Sequence, residues 1–140
     1  ARGLKATLGL GPMHQWDVKQ PVEVDWVSGA CMLVRREVVE QIGLLDERFF
    51  LYFEDNDWCL RMRKAGWRVF YDPRFEVIHL GGASLPQRSR ASEIYYQSLI
   101  QFTAKHYGPM MAWMLRIPLK GYRGLQNCRS SFGLNKQKCR

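Results

Sequence analysis

Hydrophobic and polar positions change period several times along the chain, and each change marks a candidate element. From Val22 to Val27, β-branched residues alternate with Glu23 and Asp25, the two-residue period of a half-buried strand. Ala30 to Val34 reads as a second, more buried strand after the break at Ser28-Gly29. Val38, Val39 and Ile42 then recur at helical spacing, and Gly43 stands where a helix ends, so a two-turn helix is expected over Arg35 to Ile42. A second helix is expected from about Asp55 to Gly66. Acids Glu54, Asp55 and Asp57 crowd its start and Arg61, Arg63 and Lys64 its end, each sign where the helix macrodipole favours it. Between the two helices, Phe49-Phe50-Leu51-Tyr52-Phe53 is a dense apolar run that is expected to be buried. Trp67 to Tyr71 alternates as a strand, Asp72-Pro73 turns, and Phe75 to His79 runs as another strand into Gly81-Gly82. Ser89 to Tyr107 suits a helix with Ile94, Tyr95, Leu99 and Phe102 near one face, and Pro109 to Leu119 is almost wholly apolar.

Strands that alternate with helices point to an α/β sheet. A chain of 140 residues is long enough for one compact domain and short for two. Residues 1–21, punctuated by Gly9, Gly11, Pro12 and Pro21, show no sustained period and read as linker, and residues 126–140 as a frayed basic tail. The body falls between them, with 22–84 as the α/β part and 85–125 as a helical segment. No internal repeat or low-complexity tract is present in the sequence.

Charge sharpens this division. Residues 1–85 hold 11 Lys/Arg against 12 Asp/Glu, whereas residues 86–140 hold 10 against 1, so the net charge of +8 belongs to the C-terminal part. A basic segment attracts polyanions, and charge alone does not choose between nucleic acid and anionic lipid. The apolar stretch from Pro109 to Leu119 is too short to span a bilayer, which needs about 20 apolar residues. Flanked by Lys105, Arg116, Lys120 and Arg123, it has the make-up of an interfacial segment on anionic lipid. Tyr107, Trp113 and Tyr122 also interleave with the charges, which keeps single-stranded nucleic acid as a second, less favoured partner. Cys31, Cys59, Cys128 and Cys139 form no Cys-x-x-Cys pair, and Cys31 and Cys59 lie in apolar stretches as reduced core thiols would, which suggests a cytosolic compartment. The first residues, Ala1-Arg2-Gly3, show no basic-then-apolar leader, and the missing Met fits a chain cut from something longer.

The run Phe53-Glu54-Asp55-Asn56-Asp57 is the most suggestive chemistry. Three carboxylates after an aromatic run can take protons or bind cations, although acids at a helix N-terminus need no function to be there. The wider string decides more. Val24-Asp25-Trp26-Val27-Ser28-Gly29-Ala30, Arg35-Arg36, Ile42-Gly43, Asp46-Glu47-Arg48-Phe49-Phe50, Glu54-Asp55-Asn56-Asp57, Arg61, Gly66, Pro73 and His79 together resemble bacterial glycosyltransferase family 2, in its rhamnosyltransferase-like branch. The resemblance covers roughly residues 22–84 and rests on many residues at correct spacing.

The resemblance implies the C-terminal half of a GT-A type nucleotide-sugar transferase domain, a mixed sheet with flanking helices, followed here by a basic, amphipathic helical tail. It places the family's Glu-Asp motif on Glu54-Asp55 and implies that Asp55 is the general base of an inverting transfer, with Glu54 and Asp57 either hydrogen-bonding and orienting the acceptor or serving structural roles. Trp26, Ser28 and Gly29 match the junction beside the sugar and acceptor, where an indole can stack on a sugar face and a glycine lets substrate approach the backbone. Arg61, about a turn and a half beyond Asp55, joins that binding surface, pairs with an acid there or points outward to water. His79 matches the position of a ligand to a divalent metal, Mn²⁺ more readily than Mg²⁺ for an imidazole. The family's nucleotide-gripping N-terminal half is absent from the string, and no Asp-x-Asp stands in an apolar strand context, since Asp55-Asn56-Asp57 belongs to the acceptor-side motif; the implied metal site is therefore incomplete and the chain alone is expected to be inactive. The partners implied are a nucleotide-sugar donor, a glycan or lipid-linked acceptor, the missing N-terminal half and an anionic membrane surface, with the protein at the inner face of the cytoplasmic membrane. A catalytically silent membrane-associated or interaction module is the rival reading, and an upstream βαβ segment with an Asp-x-Asp would decide against it.

Overall fold

The computed structural model describes residues 18–80 and 88–118. Gly81-Gly82, nearly all of the N-terminal linker, and the tail from 119 onward, with Lys120 and Arg123, lie outside the described residues. In chain order the elements are strand β1 (Val22–Glu23), helix α1 (Arg36–Ile42), helix α2 (Glu54–Lys64), strand β2 (Phe70–Tyr71) and helix α3 (Arg88–Tyr107). A further helix, α4, covers 109–118. The chain divides into two compact units, Ala1–Tyr95 and Tyr96–Arg140.

In the first unit, α1 and α2 form where the charge and apolar periods require them. Gly43 ends α1 at φ 77°, a left-handed position that favours glycine, and its N–H donates to the Val39 carbonyl at 2.9 Å. Helix α2 carries Trp58, Cys59 and Met62 on one stripe, and Cys59 and Met62 bury there with Val38 of α1 and Val69 beside β2. Val24, Val27, Met32, Val34, Ile42, Trp58 and Trp67 pack around this centre.

The sheet is smaller than the sequence pattern suggests. β1 and β2 pair antiparallel, Val22 opposite Tyr71 and Glu23 opposite Phe70, with one further bond from Val24 N–H to the Val69 carbonyl at 2.9 Å. Arg68 pairs with Glu23 at 2.9 Å and stacks over the Phe70 ring. Among the described residues this is the whole sheet, so the mixed sheet expected from the resemblance is represented by two short strands. The Ala30 to Val34 and Phe75 to His79 segments make no ladder. An extended segment is a strand only when another backbone pairs with it. Two burial expectations change as well. Phe49 is buried but Phe50 is exposed, and Cys31 is exposed while Cys59 alone of the two is a core thiol.

In the second unit, α3 runs to Tyr107 and stops at Gly108, φ 93°, and Pro109 opens α4, where its missing N–H costs nothing. The Thr103 hydroxyl donates back to the Leu99 carbonyl at 2.8 Å. Ser98, Thr103 and Ala112 are buried.

Candidate functional site

The site is built on the first turn of α2. Tyr52 and Phe53 precede it with φ of 66° and 69°, two successive bulky residues in left-handed backbone, each at a cost of about 1–2 kcal/mol. Aromatic contacts oppose that cost: the Tyr95 ring meets Tyr52 edge-on at 5.6 Å and Phe53 at 5.2 Å. No side chain of the N-cap residue, Phe53, satisfies the helix N–H groups. Asp55 does so instead, its Oδ1 accepting from the Asn56 N–H at 2.8 Å.

The other oxygen of Asp55 reaches across the chain. Its Oδ2 accepts from the Gly29 N–H at 2.9 Å. This contact belongs to a register between an extended segment and a helix: Asp25 pairs with Arg63 at 2.6 Å, the Cys59 thiol meets the Val27 backbone, and Gly29 meets Asp55. Two extended residues advance about 6.6 Å and four helical residues about 6 Å, so partners recur at steps of two and four along antiparallel directions. Gly29 and Ser28 are exposed, and Trp26 is also on the surface at 38%. A Cβ on Gly29 would stand 3.6 Å from the Asp55 Cβ, an ordinary contact, so the backbone approach itself leaves room. Ser28 Oγ accepts from the Ala30 N–H at 3.3 Å.

The remaining acids differ sharply from Asp55. Asp57 is fully buried, and its Oδ2 accepts from Arg61 Nε at 2.9 Å. Arg61 Nη1 and Nη2 donate to the carbonyls of Ile42 and Leu44 at 2.6 and 2.7 Å, and Trp58 Nε1 donates to the Gly43 carbonyl between them at 2.9 Å. Three successive carbonyls at the end of α1 are thus held by side chains of α2. All three guanidinium nitrogens of Arg61 are occupied within the protein, so it pairs with an acid as one alternative had it, the acid being Asp57 rather than Asp55. Glu54 is half-buried, but its Oε2 is sealed from solvent with no hydrogen-bond partner among the described residues. Burial raises the Glu54 carboxyl above its ordinary value, its own backbone N–H partly offsets this, and the Asp55 charge adds to the rise.

His79 lies exposed in the irregular segment after β2. Among the described residues no three His, Cys, Asp or Glu side chains converge, so these residues do not by themselves fit a divalent metal. Sequence reasoning missed the left-handed Tyr52-Phe53 pair and the Asp25, Val27, Gly29 register. The second had a signal, the steps of two in 25–29 set against the steps of four in 55–63.

A family model described as glycosyltransferase like family 2 matches residues 13–96. The chain belongs to this family. Membership implies the GT-A fold. The chain is 36% identical to the N-acetylglucosaminyl-diphospho-decaprenol L-rhamnosyltransferase of Mycobacterium tuberculosis, over 89% of this chain and 44% of that protein. It is 45% identical to the rhamnosyltransferase WbbL of Escherichia coli over 40% of this chain and 21% of that protein. A low-salt glycan biosynthesis hexosyltransferase of Haloferax volcanii is 33% identical over 56% of this chain and 24% of its own length. The chain therefore spans less than half the length of each of these relatives. No solved structure matches it significantly. The matched residues include the whole register of 25–29 against 55–63, so the rhamnosyltransferase-like resemblance and the Asp55 site fall on the same segment.

Proposed function

We propose that the protein acts as the acceptor-side, C-terminal part of an inverting glycosyltransferase, with Asp55 as general base. The observation that carries this is the Asp55 carboxylate, set at the opening of α2 and held by one N–H on each oxygen, with exposed Ser28 and Gly29 beside it. Two fixed N–H bonds orient the carboxylate and leave each oxygen a further lone pair for a substrate hydroxyl. In the transfer, the acceptor oxygen forms a bond to the anomeric carbon as the bond to the nucleotide diphosphate breaks, the leaving group keeps the electron pair, and the hydroxyl proton passes to Asp55.

The donor is a nucleotide sugar, with rhamnose suggested by the names of two relatives, and the acceptor is a glycan or lipid-linked sugar, as the mycobacterial name suggests. Trp26, Ser28 and Gly29 line the acceptor side. Glu54, whose burial favours its protonated form, orients an acceptor hydroxyl. Asp57 and Arg61 act at one remove, by fixing α2 against the end of α1. The nucleotide-gripping half belongs to a part of the transferase outside this chain. His79 would lend a single imidazole to a divalent metal, whose other ligands would come from outside the described residues. On this reading the protein works at the cytoplasmic face of the membrane, in the synthesis of cell-wall or other polysaccharide.

The test is Asp55→Asn in the complete transferase, assayed against a panel of nucleotide sugars. Turnover should fall by about two orders of magnitude or more with donor binding retained. Near-normal turnover overturns the assignment of the base, and no transfer by the unaltered protein with any donor selects the silent-module reading.

A further inference from the structure

Helix α4 exposes an apolar stripe that nothing in the proposed catalytic site uses. Met110, Trp113, Met114 and Ile117 follow the i, i+3, i+4, i+7 spacing of one helix face, and they are exposed at 76, 61, 54 and 59%. Ala112, on the opposite side of the same helix, is buried at 3%. The stripe is therefore not the core-facing side of an ordinary amphipathic helix; the core-facing side is the other one. A polar solvent-facing side would be the usual arrangement, and exposed apolar faces of this kind mark interaction surfaces.

Charge identifies the partner. The unit Tyr96–Arg140 contains eight Lys/Arg and no Asp or Glu, and Arg116 is exposed on the flank of the stripe. A protein interface core is depleted of charge and bordered by mixed polar groups, whereas an apolar stripe on a segment that carries Lys105 and Arg116 and no acid among its described residues complements an anionic surface with an apolar interior. Single-stranded nucleic acid offers the anionic surface but stacks on aromatic rings, and of the four stripe residues only Trp113 is aromatic. No helix among the described residues is long and apolar enough to cross a membrane, so the geometry fits a helix lying in the interface.

We propose that α4 docks on anionic lipid bilayers through Met110, Trp113, Met114 and Ile117, with Arg116 on the same helix and Lys105 near the end of α3 binding the lipid headgroups. This deepens the function proposed above, resting on it for a lipid-linked acceptor held in the same kind of bilayer. Docking is measured without turnover, so a failure of binding and a failure of catalysis are told apart.

The full chain is sedimented with vesicles of phosphatidylcholine containing about one-third phosphatidylserine, and with phosphatidylcholine alone, at low and high salt. Binding to the anionic vesicles should exceed binding to the neutral ones by about tenfold or more and should weaken as salt screens the charges. Trp113→Ser with Ile117→Ser should lower anionic-vesicle binding about tenfold at low salt without moving the melting temperature, since both side chains are exposed in the folded protein. Met110→Ser with Met114→Ser repeats the test on the same stripe should the first pair disturb folding. No binding to anionic vesicles at low salt overturns the proposal, as does unchanged binding of the stripe variants. Complete displacement from vesicles by a single-stranded RNA at matched salt also overturns it and makes nucleic acid the partner.

Discussion

Replacing Arg61 by methionine keeps most of the unbranched stem and removes the guanidinium, with its charge and three hydrogen bonds. The Asp57 carboxylate left behind is fully buried, while the Arg61 side chain itself is 20% exposed. Breaking a buried pair by removing one partner costs about 3–5 kcal/mol, because the remaining charge loses its nearest cation; Arg48, whose guanidinium also feels the Asp57 charge, keeps part of the compensation. The partial exposure of Arg61 argues for the lower end, and the two carbonyl bonds add less than their nominal strength because Leu44 is itself 71% exposed and its carbonyl can turn to water. A loss of about 3 kcal/mol is therefore expected. For a domain of this size, with a urea m-value of about 1.5 kcal/mol/M, the midpoint should fall by about 2 M at unchanged m. The double variant Arg61→Met, Asp57→Leu removes both charges and should recover at least half of the loss, since apolar groups of similar size often replace a buried pair at little cost. Equilibrium urea unfolding followed by far-ultraviolet circular dichroism measures all three proteins. A loss under about 1 kcal/mol for Arg61→Met, or a double variant less stable than the single, would refute the clamp as the reason these two residues are placed as they are.

Glu54→Gln should make the protein more stable at neutral pH. The folded state holds the Glu54 proton more tightly than the unfolded chain does, so this group favours folding below its unfolded value, near pH 4, and that contribution is lost as pH rises through its raised folded value. The advantage of the glutamine variant should thus shrink as pH falls towards about 4, and melting curves across that range check it; a variant less stable at neutral pH would show that the Glu54 charge is needed by the fold. His79→Ala in the complete transferase should raise the Mn²⁺ concentration for half-maximal activity about tenfold, as loss of one ligand among several would, and an unmoved metal requirement would leave His79 as an exposed loop residue.

The helices were legible in the sequence. The expected two-turn helix to Ile42 with Gly43 as its stop is α1, the charge gradient from Glu54 to Lys64 is α2, and the helix expected from Ser89 to Tyr107 is α3, although its buried residues are Ser98 and Thr103 and Tyr95 of the expected apolar face is exposed. A helix closes its hydrogen bonds within its own segment, so its apolar period, its terminal charges and its stop glycine are all local. Strands are another matter. Ala30 to Val34 and Phe75 to His79 have a pattern compatible with a sheet, yet only Val22–Glu23 and Phe70–Tyr71 pair among the described residues, because a ladder needs a second backbone distant in sequence. The same distinction runs through the site. The Glu54-Asp55-Asn56-Asp57 string is readable as an acidic helix start, but nothing in it says that Asp55 meets the Gly29 N–H while Asp57, two residues on, is sealed against Arg61. Two residues along a helix turn a side chain by about 200°. That rotation carries neighbouring carboxylates from an exposed backbone junction into the interior, and which of them faces which way was set only once α2 had packed against α1 and the 25–29 segment.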